Sequence, residues 1–141
     1  MAEAMLRYRL QRADRPDIVT SSMGIHGLDA QPPSGLAQEV CSEHGLDISG
    51  HRSRQLVGQE LVEADLILCM DTFQNDFVKL FFPQVAEKVS LLGSWPADGS
   101  RRDIVPDPMG RQKKLYLQVY QLLDRHISRI LPIIQEMHPL R

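Results

Sequence analysis

Five consecutive apolar residues, Leu66 to Met70, constrain the fold of this chain more than any other stretch. A short apolar run that is bounded by charges and has no polar alternation is typical of a strand buried on both faces, as in a parallel sheet covered by helices. Asp71 follows at the end of this predicted strand. Open α/β sheets bind ligands outside the carboxyl ends of their strands, which makes Asp71 a candidate site residue. Asp71 is also a good helix N-cap, and its position predicts the two roles equally.

Strands and helices alternate around this run, which predicts an α/β fold with a parallel sheet. The expected order begins with a helix over residues 1–12, a strand over Ile18–Ser22 and a helix that Ser34 caps and that ends at Gly45. A short helix over Gly58–Glu63 then leads into the central strand. After it come a helix over Phe73–Phe82, a strand over Lys88–Leu92 and a last helix that Pro132 bends or ends. Residues 93–110 form the longest irregular stretch, and loops of that length are usually functional or disordered. The length of 141 residues suits one domain over residues 1–141.

Composition excludes several classes of protein. The net charge of −2 and the lack of a basic face argue against a nucleic-acid partner. No apolar run approaches the ~18 residues of a spanning helix, so no membrane partner is expected. The two cysteines, Cys41 and Cys69, lack the spacing of a metal or redox site, which indicates a reducing, cytoplasmic location. We expect neither a metal nor a cofactor.

Five segments, in order, resemble the low-molecular-weight protein tyrosine phosphatases. They are Ser22-Met23-Gly24, Gly45 to Leu56 with its Gly-His-Arg-Ser-Arg-Gln core, the central strand from Asp65 to Asp71, the strand from Val89 to Trp95, and Pro106-Asp107-Pro108. The resemblance runs from Met1 to about Leu131. It implies a three-layer α/β sandwich whose small parallel sheet has the strand order 2-1-3-4.

The resemblance also implies a reaction. In this family a thiolate from a C-x5-R-[S/T] loop attacks the phosphorus of phosphotyrosine, and an aspartate protonates the leaving phenolate. Water then hydrolyses the cysteinyl-phosphate. A thiolate of this kind requires a helix N-terminus and a cation to lower its pKa, and the same geometry binds a phosphate dianion.

Four residues match the family's site. Asp107 matches the general acid. His51 and Asp71 match a paired His and Asp that support the phosphate-binding loop. Met109 stands where the family usually has an aromatic residue flanking the phosphotyrosine ring, so it matches the wall against the substrate. Substrates would be a phosphotyrosine protein or a small aryl phosphate.

The family's first strand, its nucleophile and its arginine lie immediately before a segment that matches Met1-Ala2-Glu3-Ala4. Relative to the family, we therefore expect residues 1–141 to be truncated at the N-terminus and inactive by themselves. Two alternatives remain open: a non-catalytic protein-binding module, and a relative of the arsenate reductases, which requires further redox cysteines.

The missing strand would be central in the family's sheet, leaving its neighbours roughly 9.6 Å apart where a ladder needs about 4.8 Å. The free energy lost with its hydrogen bonds and buried side chains is comparable to a typical free energy of unfolding, about 5–15 kcal/mol. The strand edges at Ile18–Ser22 and Leu66–Met70 would then have three outcomes open to them: the two strands pair directly, a second chain fills the gap by exchange or dimerisation, or the chain is partly molten. Exchange keeps more of the packing contacts than direct pairing, so of the three we favour a homodimer.

Overall fold

The computed structural model describes residues 1–99 and 103–137. The helices are α1 (Ala2–Arg12), α2 (Gly35–Glu43), α3 (Gly58–Glu63), α4 (Thr72–Phe81) and α5 (Lys113–Met137), the strands are β1 (Ile67–Cys69) and β2 (Val89–Leu91), and a 3-10 helix covers Pro83–Lys88. In these parts of the chain, no helix is both long enough and apolar enough to cross a membrane.

The two strands form a small parallel sheet in which Ile67 pairs with Val89 and Cys69 with Leu91. Side chains alternate along β1, so that Leu66, Leu68 and Met70 pack into one core cluster. Ile67 and Cys69 pack into a second cluster on the other face. This arrangement confirms the α/β fold with a parallel sheet that the apolar run predicted. The strand is shorter than expected, however, and of the run from Leu66 to Met70 only Cys69 is fully buried.

The first cluster lies between the sheet and helices α1, α2 and α5. Arg9 of α1 ties the outer helices together by donating to Asp124 and Ser128 of α5. Helix α2 begins where it was predicted, because the Ser34 hydroxyl accepts from the N–H of Ala37 at 3.3 Å. It ends as predicted too, before Gly45, whose φ of 76° favours glycine.

The second cluster joins β1 and β2 to α3, α4 and the 3-10 helix through Leu61, Val78 and Val85. The predicted bounds of α3 are confirmed, and those of α4 agree to within one residue. Before β2, the 3-10 helix, which the sequence did not predict, covers the segment that begins at Pro83. Pro83 stands at its first position, where a residue without an N–H costs nothing.

The strand predicted over Ile18–Ser22 is absent: this segment has extended or bent backbone and belongs to no sheet. Val19 is 88% exposed. Near this segment, the described residues contain one backbone pairing, an isolated parallel bridge between Gly24 and Gln55. β-Branched residues favour extended backbone, but a strand also requires a neighbour at about 4.8 Å. Without that neighbour, the propensity of these residues is not enough.

Pro132 does not end the last helix, which continues to Met137. Ile130 and Ile134 are buried on either side of the proline, so packing holds both halves of α5 against the first core cluster. Tertiary contacts therefore outweigh the hydrogen bond that a proline removes. The tail at residues 139–141, which we expected to fray, lies outside the described residues.

Candidate functional site

The loop that carries Asp107 is attached to the carboxyl end of β1. The N–H of Val105, a buried residue, donates to the carbonyl of Met70 at 2.7 Å. Asp107 follows two residues later between two prolines, whose rings fix the backbone φ on either side of it. Its Oδ1 accepts from the N–H of Met109 at 2.9 Å, which closes an Asx turn. Among the described residues, the second carboxylate oxygen has no hydrogen-bond partner.

Helices α2 and α5 build the wall beneath this loop. The Tyr116 hydroxyl of α5 lies 3.9 Å from the sulfur of Met109 and accepts from the Ser34 hydroxyl at 3.1 Å. Tyr116 is buried, whereas Met109 is 65% exposed. Met109 therefore rests on a buried tyrosine while most of its side chain stays exposed.

His51 faces a carboxylate that sequence reasoning missed. Its Nδ1 lies 3.8 Å from Oε2 of Glu3, a close charge contact that is too long for a hydrogen bond. Glu3 also accepts from the Ser22 hydroxyl and from Arg7. Helical spacing by itself places Glu3 on the outer face of α1, opposite the apolar positions, but its side chain is only 15% exposed. A carboxylate in the first turn of a helix is a common helix-dipole partner, so its spacing carried no signal of a site.

Asp71 acts as the N-cap of α4. Its Oδ1 accepts from the N–H of Gln74 at 2.8 Å, and the Gln74 side chain accepts in turn from the N–H of Met70 at 2.8 Å. Of the two roles that its position allowed, the cap is the one observed. The pairing with His51 that the resemblance implied is not present in the described residues, since His51 faces Glu3 instead.

Asp107, His51 and Met109 line one pocket of about 240 Å³, and Asp71 does not line it. The remaining lining residues come from the start of α1, from residues 22–48, from the loop of Asp107 and from the start of α5: Met1, Glu3, Ala4, Ser22, Pro33, Ser34, Ala37, Ile48, Pro108 and Tyr116. The first N–H groups of a helix have no partner within it and carry a partial positive charge. The pocket thus combines an anion-attracting helix end with a carboxylate on the opposite loop.

Arg52 and Arg54 bind groups outside the pocket. Arg52 donates to the carbonyls of Ser49 and His51, both at 2.8 Å, and holds that loop together. Arg54 forms a two-pronged ion pair with Glu60 at 2.6 and 2.7 Å. Neither arginine lines the pocket.

Both cysteines are free, buried and outside the pocket lining. Burial raises the pKa of the Cys41 thiol. Burial and then the nearby Asp71 carboxylate raise the pKa of Cys69 to about 11. A nucleophilic cysteine requires the opposite shift, toward the thiolate. Nor do the described parts of the chain contain a group of three His, Cys, Asp or Glu side chains that could hold a metal ion.

Known proteins match both the sequence and this architecture. The family model for "Low molecular weight phosphotyrosine protein phosphatase" matches residues 1–139. The chain is 31% identical to the tyrosine phosphatase Etp of Escherichia coli K12 over 125 residues, which are 89% of this chain and 78% of Etp. It is 33% identical to the probable tyrosine phosphatase EpsP of Ralstonia nicotianae over 137 residues, which are 97% of this chain and 88% of EpsP.

Among solved structures, Vibrio vulnificus Wzb in complex with benzylphosphonate superimposes with a TM-score of 0.80 at 27% identity, over 93% of this chain and 86% of Wzb. A YwlE arginine phosphatase shares the fold alone, with a TM-score of 0.87 at 21% identity over 97% of this chain and 88% of YwlE. The sequence match, the parallel sheet and the long coverage agree. This chain therefore belongs to the low molecular weight phosphotyrosine protein phosphatase family, whose members are hydrolases.

Proposed function

We propose that this chain supplies the general acid and the supporting wall of a phosphatase site, with Asp107 as the acid. The observation that carries the proposal is the position of Asp107 in the pocket that the start of α1 lines. The prolines beside it and the anchor from Val105 to Met70 hold its carboxyl group at that place. A proton donor must be held within hydrogen-bond reach of the leaving oxygen, and an anchored loop over the pocket supports that role for Asp107.

The reaction follows from this geometry when a C-x5-R loop precedes α1. The thiolate forms a bond to phosphorus, the bond from phosphorus to the phenolic oxygen breaks, and Asp107 gives its proton to that oxygen. In the second step the Asp107 carboxylate takes a proton from water, which attacks phosphorus and releases the thiolate and inorganic phosphate. The N–H groups at the start of α1 stabilise the phosphate oxygens, because they are unpaired donors at the positive end of the helix.

His51 and Glu3 act as positioning residues on the same wall. Glu3 connects the first turn of α1 to Ser22 and faces His51. These contacts join three chain segments that meet at the pocket, and they would hold a phosphate-binding loop entering α1 in a fixed place. Asp71 supports the site indirectly, by capping α4 at the end of β1.

The substrate class is an aryl phosphate, either phosphotyrosine in a protein or a small aryl monoester. Met109 provides a polarisable thioether wall, and a methionine sulfur contacts aromatic rings favourably. Etp and EpsP are named as tyrosine phosphatases, and the Vibrio Wzb structure holds benzylphosphonate, which agrees with an aromatic group in this place.

The 141 residues contain no C-x5-R sequence, because neither Cys41 nor Cys69 is followed by an arginine at that spacing. We therefore expect this polypeptide alone to have no cysteine-dependent turnover, since the remaining groups cannot replace a nucleophile. Para-nitrophenyl phosphate is a suitable probe. Turnover that disappears in Cys41→Ser or Cys69→Ser would contradict the expectation.

The test of Asp107 uses a protein in which a segment with an apolar strand and C-x5-R-S-P precedes Met1. General acid catalysis contributes roughly 10²–10⁴ in rate. Asp107→Asn should therefore slow an aryl phosphate with a poor leaving group by about that factor and affect one with a good leaving group much less. Asp98→Asn, an exposed aspartate of the preceding loop, serves as the matched control. Equal rates for Asp107→Asn and the parent would remove Asp107 from the mechanism.

Two other expectations belong to this proposal. A cytoplasmic location is supported by the two free, buried thiols. Dimerisation by strand exchange is supported by the extended segment Ile18–Ser22, which pairs with no strand of the sheet in the described residues. An arsenate reductase would need cysteines that can meet, but Cys41 and Cys69 lie in core clusters on opposite faces of the sheet.

A further inference from the structure

Met109 is the most exposed of the six methionines, all of which lie in described parts of the chain. It is 65% exposed, and Met137, at the end of α5, is 42% exposed. The other four are buried or half-buried: Met1, Met5, Met23 and Met70. Oxidation of a thioether by a dissolved oxidant requires contact with it, so exposure favours Met109 over the other five.

The sulfur of Met109 has one side against a fixed hydroxyl. The N–H of Met109 donates to Asp107 at 2.9 Å, which fixes the backbone from which the side chain leaves. At the other end of the side chain, the sulfur lies 3.9 Å from the hydroxyl of Tyr116, which is buried. That hydroxyl accepts from Ser34 at 3.1 Å, so its own proton is free for the thioether, a weak acceptor. One lone pair of the sulfur therefore faces Tyr116, and the other is open.

The two lone pairs lead to different products. Addition of oxygen to one gives one epimer of methionine sulfoxide, addition to the second gives the other epimer, and a separate reductase exists for each. An oxidant that arrives from solvent meets the open lone pair of Met109, because Tyr116 covers the other. Met137 offers both lone pairs, because no described group donates to its sulfur. One epimer should therefore predominate at Met109 and neither at Met137.

We propose that Met109 is a reversible oxidation site that takes a peroxide. The sulfur lone pair attacks one oxygen of hydrogen peroxide, an S–O bond forms and the O–O bond breaks. The departing hydroxide takes the proton of the transferred oxygen and leaves as water, so the sulfur is oxidised and the peroxide reduced. In the reverse step a methionine sulfoxide reductase of the matching epimer restores the thioether. Two thiols then become a disulfide, and the oxygen leaves as water.

The modification changes a wall of the pocket. A sulfoxide replaces a flexible apolar group by a polar, chiral one. Met109 lines the pocket together with Asp107 and Tyr116, so the added oxygen places a dipole on that wall. Oxidation therefore weakens the binding of an aromatic ring there. This consequence rests on the proposed function, whereas the modification itself does not.

Peptide mapping of the 141-residue protein after limited treatment with hydrogen peroxide tests the site. Mass spectrometry measures the sulfoxide at each methionine, and we expect Met109 to be oxidised before Met137 and long before Met5. Treatment of the digested peptides with each of the two epimer-specific reductases then gives the ratio of epimers. The excess of one epimer at Met109 should be roughly fivefold, the ratio that one hydrogen bond sets, against an even mixture at Met137.

Tyr116→Phe is the matched variant, because it keeps the ring and removes only the hydroxyl. Met109 should still be oxidised, but its two epimers should approach equal amounts. Circular dichroism checks that the fold of this variant is intact. A second measurement does not depend on the variant: oxidation of the parent in urea, where the chain is unfolded and neither lone pair is covered, should also give an even mixture.

The proposal is overturned if Met137 is oxidised before Met109, or if the folded parent forms both epimers at Met109 in equal amounts. An excess that persists in urea would refute its origin in the fold, and one that Tyr116→Phe leaves unchanged would refute the role of the hydroxyl. None of these measurements involves turnover. A failure here is therefore distinct from a failure of the Asp107 test.

Discussion

The Cys69 thiol gives a sharp test of the conclusion that the cysteines of this chain are core residues and not nucleophiles. Cys69 lies on β1, is 6% exposed, and packs among Leu61, Val78 and Leu91 in the second core cluster. Its pKa is raised from 9.0 to about 11 by burial and by Asp71. Raising the pH should therefore force a charge into this cluster, and Cys69→Ala should remove that effect.

The sign and size follow from proton linkage. A group whose pKa is higher in the folded protein contributes stability that is complete below the unfolded pKa and is lost as the pH rises through the folded pKa. A difference of about two units corresponds to about 2.7 kcal/mol when the loss is complete, and to about 2 kcal/mol at pH ~10.5. The window opens near the unfolded pKa of 9.0 and closes above the folded value of about 11.

Urea unfolding of the parent and of Cys69→Ala, repeated from neutral pH to about pH 10.5, measures this loss. Other groups titrate in the same range, but they are common to both proteins and cancel in the difference. At neutral pH the alanine variant should be the less stable, because it loses packing. That deficit should shrink by about 2 kcal/mol as the pH rises. Ser90→Ala on β2 is the non-titrating control. If the free energies of unfolding of the parent and of Cys69→Ala changed with pH in parallel, the conclusion that burial raises the pKa of Cys69 would be refuted.

Two further changes test how the loop before Asp107 and helix α2 are held in place. Gly93→Ala should destabilise the fold by more than ~1 kcal/mol, because a Cβ there would lie 2.0 Å from the carbonyl oxygen of Asp103. Gly50→Ala is the control: a Cβ at Gly50 has nothing within 4 Å, so the midpoint of thermal unfolding should hardly change. Ser34→Ala removes the cap of α2 and should lower the free energy of unfolding by about 0.5–2 kcal/mol. Ser42→Ala, at an exposed position on the same helix, should lower it far less. Equal unfolding midpoints for the two serine variants would contradict the capping role.

The single domain over residues 1–141 and the catalytic roles of Asp107, His51, Asp71 and Met109 stay predictions. The structure contributes positions that bear on those roles. It brings Asp107, His51 and Met109 to one pocket and keeps Asp71 outside that lining. The family membership itself rests on agreement between the sequence match and the fold.

Features whose physical cause lies within a few residues were determined by the sequence. The apolar run at Leu66–Met70 predicted a buried strand, and Ser34 and Gly45 predicted the two ends of α2. Each depends on a local preference: unbroken apolar residues, a side-chain acceptor for a free N–H, or a backbone that tolerates positive φ. The resemblance likewise selected Asp107 as the candidate general acid from its adjacent residues alone.

Only the tertiary structure decided the features that depend on distant partners. Ile18–Ser22 has strand propensity but forms no strand, because a ladder requires a neighbouring backbone that local sequence cannot supply. His51 faces Glu3 across 48 positions of the chain, and Asp107 takes its place because Val105 bonds to Met70. The exposed side of α4 was equally hidden, since its phenylalanines suit a core as well as a surface until packing shows which face is covered. Long-range pairing and burial are set by the whole chain, and no short stretch encodes them.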